Sequence, residues 1–316
     1  MGTMSRSHPQ HRRTVRTLGA AALLLGLTVP APAAALPDAP GGAAATTAAV
    51  TVPASCGPAA GPLPAAVGPA AQDDRRALTT ALDGLSAAVG AEIGLLVQDA
   101  DGRTVFAHRP EVSGMEASLS KVPLALTIMR LAAERDGRLT EQQRALIRDS
   151  VHESGNESTT ALYGALGPTL SAMEGELNET YDLMGVSSTR SSGGWGHNLT
   201  TASDQLAVLG TVVHGADWLP EEDLAWLREQ MRPTHPSQTW GVGAARADGS
   251  GAADSLVKNG WLPDAGGAWD THSVGRTVSG GTAHHIAVLG SGYPSAACGQ
   301  DVATAVVDLY LALGTG

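Results

Sequence analysis

Lysine is nearly absent from this chain of 316 residues: Lys and Arg together number 20, yet only Lys121 and Lys258 are lysines. Arginine therefore fills almost every cationic position. Aromatic residues are as scarce, at 3% with Phe106 the sole phenylalanine, so the core has to be built from Ala, Leu and Val packed against helices. Positive charge is in short supply too. A formal net charge of −11 repels phosphate and argues against a nucleic-acid partner, leaving a small-molecule or peptidic one. With 43% hydrophobic and 16% charged residues, the chain is neither disordered nor fibrous, and it has the material for one sizeable core.

The N-terminal 35 residues read as a signal peptide. Arg6, Arg12, Arg13 and Arg16 form a basic region, Leu18 to Val29 an apolar one, and Ala33-Ala34-Ala35 a small-residue cleavage site. The apolar stretch is too short for a membrane anchor and is broken by Pro30 and Pro32. Export by the general or the twin-arginine route is expected, since Arg12-Arg13 alone does not choose between them. Residues 36–70, rich in Ala, Pro, Gly and Thr with almost no charge, read as a flexible tether, and 71–316 as the folded domain. Outside the cell, Cys56 and Cys298 are able to pair and pin the tether to the C-terminal region. The rival states are a lipid-modified Cys56, for which Pro53-Ala54-Ser55 is a poor signal, and two free thiols.

The folded part alternates. Ala77, Leu78, Leu82, Leu85 and Val89 have helical spacing, and Ile93 to Val97 reads as a buried strand paired through the turn at Asp99–Gly102 with Thr104 to His108. The apolar residues from Val122 to Leu131 predict a helix hydrophobic on nearly all sides, hence central. Strands are predicted at Ser255 to Trp261, Thr271 to Val278 and His285 to Leu289, with a closing helix from about Gln300 to Leu313. That order predicts a mixed α/β (α+β) fold, an antiparallel sheet with helices packed against it.

Both lysines sit in motifs that want a lysine. Arginine is permanently protonated, whereas a desolvated lysine can lose its proton and act as a base. In Ser118-Leu119-Ser120-Lys121, the three-residue offset places Lys121 one helical turn from Ser118, within reach of its hydroxyl proton; Ser120 lacks that geometry. Ser154-Gly155-Asn156 follows, and then Lys258-Asn259-Gly260 on a predicted strand, where Gly260 permits close approach to the backbone. S-x-x-K, S-x-N and K-x-G in this order resemble the signature of class A serine β-lactamases and penicillin-binding proteins, over roughly Asp73 to Gly316. Gln238-Thr239-Trp240-Gly241 and Lys258 to Pro263 are similar to a branch of secreted β-lactamase-like proteins of GC-rich bacteria.

The resemblance implies a β-lactamase/D,D-peptidase-like fold, an antiparallel sheet flanked by helices plus a helical subdomain. It also implies a serine hydrolase in which Ser118 attacks a carbonyl, Lys121 takes its proton and Ser154 relays a proton to the leaving nitrogen. Asn156 would hold Lys121 or the substrate amide, and Lys258 with its strand neighbours Asn259, Gly260 and Trp261 would bind substrate. The oxyanion would lie between the backbone N–H groups of Ser118 and Trp261. Asn259 departs from the family's usual hydroxyl residue and Trp261 from a small one, which puts a β-lactam substrate in doubt without touching acylation.

Glu174-Gly175-Glu176-Leu177-Asn178 imitates the E-x-x-L-N segment of the deacylating glutamate, but it lies within the helical stripe Leu170, Met173, Leu177, Tyr181 and Met184. Ser191 to Asn198 fits the omega-loop position better and has no carboxylate, so an acyl-enzyme is expected to persist. The histidines show no metal-ligand spacing, and His284 and His285 should point to opposite faces of a strand. Neither metal nor cofactor is expected, and the mature chain should be a monomer without a membrane span. Three functions follow: a β-lactamase-like hydrolase, a D-alanyl-D-alanine peptidase acting on peptidoglycan peptides, or a non-catalytic binding protein on the same scaffold. The retention of both lysines argues against the last.

Overall fold

The computed structural model describes residues 50–63, 71–135, 137–244 and 255–313. The expected signal peptide, and the tether apart from 50–63, lie outside the described residues. Those fourteen residues are not a loose tether: β1 (Thr51–Val52) and β2 (Gly61–Pro62) pair, and the turn Ala54–Ala59 between them carries Cys56. Val50, Val52 and Cys56 are buried against the main core, so the Ala/Pro composition that suggested flexibility conceals three inward-facing apolar side chains. Cys56 is joined to Cys298 by a disulfide, with Cα atoms 4.7 Å apart.

The chain continues through α1 (Ala71–Val89), the hairpin β3 (Glu92–Gln98) and β4 (Thr104–His108), and the short β5 (Ser113–Met115). The hairpin turn is stabilised by Asp99, whose Oδ1 accepts from the N–H groups of Asp101 and Arg103. A tight turn, Ala117–Ser120, then feeds α2 (Lys121–Arg135), followed by α3 (Glu141–Arg148), a wide π-type turn at Asp149–Glu153, α4 (Asn156–Gly164) and α5 (Leu170–Leu183). β6 (Leu199–Thr201) pairs with β5, and α6 (Ala202–His214) and α7 (Glu221–Gln230) complete the helical part. β7 (Leu256–Pro263), β8 (Trp269–Ser279), β9 (Thr282–Tyr293) and α8 (Ala296–Leu313) close the chain.

The main sheet is five-stranded and antiparallel, in the order β4-β3-β9-β8-β7. Its two-residue side-chain period divides two cores. Ile93, Leu95, Val97, Ile286 and Val288 face α1 and α8, while Leu96, Ala287 and Leu289 join the core around α2 and α6. Burial on both faces is why β3 reads as a continuous apolar run rather than an alternation. His284 and His285 obey the same period: His284 meets Tyr310 of α8, and His285 meets His214 of α6. α2 is enclosed as its composition predicted, with every residue from Lys121 to Ala132 buried. α8 is long and apolar enough by composition to cross a membrane, but its apolar side packs on the sheet.

Because the disulfide closes a loop of 242 residues, replacing both cysteines by serine is expected to lower the unfolding free energy by about 2–4 kcal/mol. Thiol titration of the denatured, unreduced protein should find no reactive sulfur; two reactive thiols would contradict the pairing.

Candidate active site

The tight turn before α2 places Ser118 half-buried at the head of the central helix, with Lys121 at the helix start. Ser120, the neighbouring hydroxyl, is fully buried and donates to Ala117 O at 2.7 Å, which removes it as a nucleophile. Ala117 stands at φ +50°, a conformation costly for a residue with a Cβ. It is held there from several sides. Ala117 N–H donates to Gly196 O and Glu116 N–H to Asn198 O, while Asp270 Oδ2 accepts from Met115 N–H and His272 donates through Nε2 to Met115 O. Gly290 N–H donates to His272 Nδ1, so this buried imidazole is neutral, and burial depresses its pKa.

Gly260 is what lets β7 lie against this turn. A Cβ there would sit 3.0 Å from both Ser118 N and Leu119 N. The second motif is placed by backbone strain of a different kind: the π-type turn ends at Ser154 in the left-handed region, φ +65°, and α4 begins two residues later. Gly155 between them admits the Asp149 carboxylate into the space a Cβ would fill.

These three segments converge on one hydroxyl. Lys121 Nζ donates to Ser154 O at 2.6 Å, Ser154 Oγ at 3.2 Å and Asn156 Oδ1 at 2.8 Å. Lys258 Nζ donates to the same Ser154 Oγ at 3.0 Å and to Asn259 O at 2.9 Å. Both ammonium groups are almost wholly buried. Desolvation lowers Lys121 to about 8, with Asp149 pulling the other way. Lys258 is pushed well below its ordinary value by burial and then by Lys121. Ser154 Oγ accepts twice, so both its lone pairs are spent on the lysines, and its own proton is the one it has left to give. The hydrogen bonds of Lys121 Nζ go to Ser154 and Asn156 and not to Ser118 Oγ.

A cleft of about 450 Å³ opens over Ser118, walled by Asn156, Trp195, His197, Trp261 and Leu262. Trp261 packs edge-on against Trp240, with ring centroids 5.9 Å apart. Trp195 lies with its ring centroid 5.3 Å from Lys121 Nζ, and its indole N–H donates to Thr160. Asn259, expected to bind substrate, does not reach the cleft. Its side chain is fully buried, Nδ2 donates to Trp240 O at 3.1 Å, and its N–H donates to Gln238 Oε1. The two-residue period turns it behind Trp240, and its Oδ1 has no partner. Glu174 lies on α5 as its periodicity indicated, but it is half-buried rather than exposed, because Gly193 N–H donates to its Oε1 at 2.6 Å. It braces the 191–198 loop.

Trp195 and Glu116 were not singled out from the sequence, and His197 was weighed only as a metal ligand. Trp195 and His197 lie in the 191–198 segment expected at the omega-loop position, where a tryptophan and a histidine between glycines were a visible signal. Glu116 is fully buried two residues before Ser118, with its carboxyl raised to about 7 by desolvation against hydrogen bonds from Asn198, Tyr181 and Gln205.

No protein-family model and no curated protein matches this chain. Solved structures do. A class A β-lactamase from Bacteroides cellulosilyticus superposes with TM-score 0.61 at 14% identity, over 77% of this chain and 98% of its own. The TLA-3 extended-spectrum β-lactamase gives 0.63 at 14%, over 75% and 98%, and a β-lactamase from Sphaerobacter thermophilus 0.60 at 17%, over 76% and 97%. The fold is class A β-lactamase-like.

If neutral Lys121 is the base, Lys121→Arg should cut the rate at which Ser118 reacts with a serine-directed probe by about 10²- to 10⁴-fold. The wild-type rate should climb with pH and level off above about 8, as Lys121 loses its proton. A variant reacting at the wild-type rate would remove Lys121 from the chemistry.

Proposed function

We propose that this chain, with its class A β-lactamase-like fold, is an exported serine hydrolase that forms an acyl-enzyme on Ser118 with a β-lactam or a related amide. The observation that carries this reading is the Ser154 hydroxyl held between the two buried ammonium groups, one of which also donates to Asn156 in the wall of the cleft over Ser118. Neutral Lys121 accepts the Ser118 proton as Oγ attacks the carbonyl carbon, and the oxyanion is taken up by backbone N–H groups of Ser118 and Trp261. Collapse breaks the C–N bond. Ser154 gives its proton to the departing nitrogen and regains one from Lys121, so the proton taken from Ser118 leaves with the amine. Lys258 holds Ser154 in place and supplies positive charge behind it, Asn156 orients Lys121, and Asn259 acts through Trp240 and the cleft wall rather than on substrate.

Release is the slow half. Among the described residues no carboxylate lines the cleft, Trp195 rather than a carboxylate stands beside Lys121, and Glu174 is engaged with Gly193. A persistent ester favours the D-alanyl-D-alanine peptidase variant of the reading, in which the acceptor is an amine or water arriving from the cleft. Export is supported by the disulfide, which fits an oxidising compartment, and by the leader-like composition of residues 1–35.

Incubation with excess benzylpenicillin should give an intact mass increase equal to one penicilloyl group, located on the peptide carrying Ser118 and absent in Ser118→Ala. The adduct should outlast its formation by on the order of 10²-fold or more, the typical cost of lacking a general base. Rapid turnover would contradict the slow release. Failure of every penicillin, cephalosporin and fluorophosphonate probe to mark Ser118 would contradict the reading altogether.

A further inference from the structure

Glu116 is a fully buried carboxyl that the acylation chemistry does not use. Its oxygens receive donors from three separate parts of the fold. Tyr181 of α5 donates its hydroxyl at 2.8 and 3.0 Å, Asn198 of the cleft loop donates Nδ2 at 3.1 Å, and Gln205 of α6 donates Nε2 at 3.1 Å. The same Asn198 accepts Glu116 N–H through its backbone oxygen and Ser192 N–H through Oδ1, so its amide orientation is fixed from both sides. Gln205 Nε2 also donates to Thr200.

We infer that Glu116 is a positioning residue whose buried carboxylate clamps the 191–198 loop to the nucleophile turn, and that taking up a proton loosens this clamp.

The chemistry of the donors carries the inference. Both amides present N–H groups, and Asn198 is held that way by Ser192, so the O–H of a protonated Glu116 turns to Tyr181 Oη unless Gln205 reverses its amide. Tyr181 must then reverse its own hydroxyl, and Asn198 or Gln205 is left facing a weaker acceptor. Asn198 is two residues from Gly196, whose carbonyl holds Ala117 at positive φ beside Ser118, and three from Trp195 over Lys121. Loosening Asn198 therefore acts on the oxyanion N–H of Ser118 and on the cover of the base together. Asp204 of α6 is the charged neighbour acting on Glu116, and it disfavours the carboxylate. Asp204 itself stays ionised: burial opposes its charge, but the N–H groups of Ser187, Ser188 and Thr189 and the Thr189 hydroxyl outweigh it. On the β8 side, Asp270 and neutral His272 hold Met115 rather than Glu116.

Desolvation sets the operating range, moving the carboxyl from 4.5 to about 7. The sign for stability is that of a raised acid. Between those values the folded protein binds a proton that the unfolded chain has released, so folding loses free energy as pH rises through the window and levels off above it. A carboxylate kept at that cost, and sited on the nucleophile turn, is the pattern of a group retained for function rather than stability.

The test is Glu116→Gln. The melting temperature of the variant relative to wild type should climb as pH rises from 4.5 to about 7 and flatten above. Resting on the acyl-enzyme reading, labelling of Ser118 by a fluorophosphonate should be roughly 10- to 100-fold slower in the variant at alkaline pH. That deficit should shrink towards about pH 5, as the wild-type carboxyl takes up its own proton. A deficit and a melting difference both independent of pH would overturn the proposal and leave Glu116 a packing residue. If no probe labels the wild type, the acyl-enzyme reading fails while the melting curves still judge Glu116. If the variant does not fold, amide exchange in wild-type 191–198 decides, corrected for intrinsic rate: protection should fall as pH drops through about 7, and pH-independent protection would overturn the clamp.

Discussion

Burying two ammonium groups around one hydroxyl is the constraint from which the rest of the site follows. Each ion loses its water, and Lys258 is further disfavoured by the charge of Lys121, so neither keeps an ordinary affinity for its proton. The chain meets this cost locally. Ser154 is forced into the left-handed region so that its carbonyl and hydroxyl both face Lys121, Asn156 brings a second oxygen, and the strand carbonyl of Asn259 takes a hydrogen of Lys258. Gly155 and Gly260 are glycines because the Asp149 carboxylate and the nucleophile turn occupy the places of their side chains. What the cost yields is an amine near 8 rather than 10.5, able to be a base under mild conditions.

The walls of the cleft complete that electrostatic design. Trp195 lays an aromatic face near Lys121, whose pKa burial lowers. A carboxylate in the same place would raise the lysine and aim a water at the ester. The loop bearing Trp195 is not independent of the Ser118 turn, because Gly196 holds the strained Ala117 and Asn198 holds Glu116.

The fold was legible wherever periodicity expresses burial. β3 and α2 are apolar on every side because each lies between two layers, and runs of that kind survive in any context. The lysines were legible for a compositional reason, since a chain that elsewhere prefers arginine exposes the positions where only lysine serves. Residues 50–63 were not, because the pull of a distant disulfide and three small apolar anchors leaves no local period. For Asn259 the motif position suggested substrate contact, while strand alternation turns its side chain behind Trp240. Glu116 gave the weakest signal of all. A single acidic residue in Gly114-Met115-Glu116-Ala117-Ser118 looks like surface chemistry until Tyr181, Asn198 and Gln205 arrive from elsewhere in the chain.

The scarcity of lysine also makes the central claim directly measurable. Protein labelled with carbon-13 at lysine Cε should give two signals, one for Lys121 and one for Lys258. Followed by NMR against pH, the Lys121 signal should titrate near 8 and the Lys258 signal well below 10.5, each assigned by its loss in the corresponding methionine variant. Two signals titrating together at 10.5 would mean that the ammonium groups are hydrated as on any surface, and the account of Lys121 as a base poised by burial would be wrong.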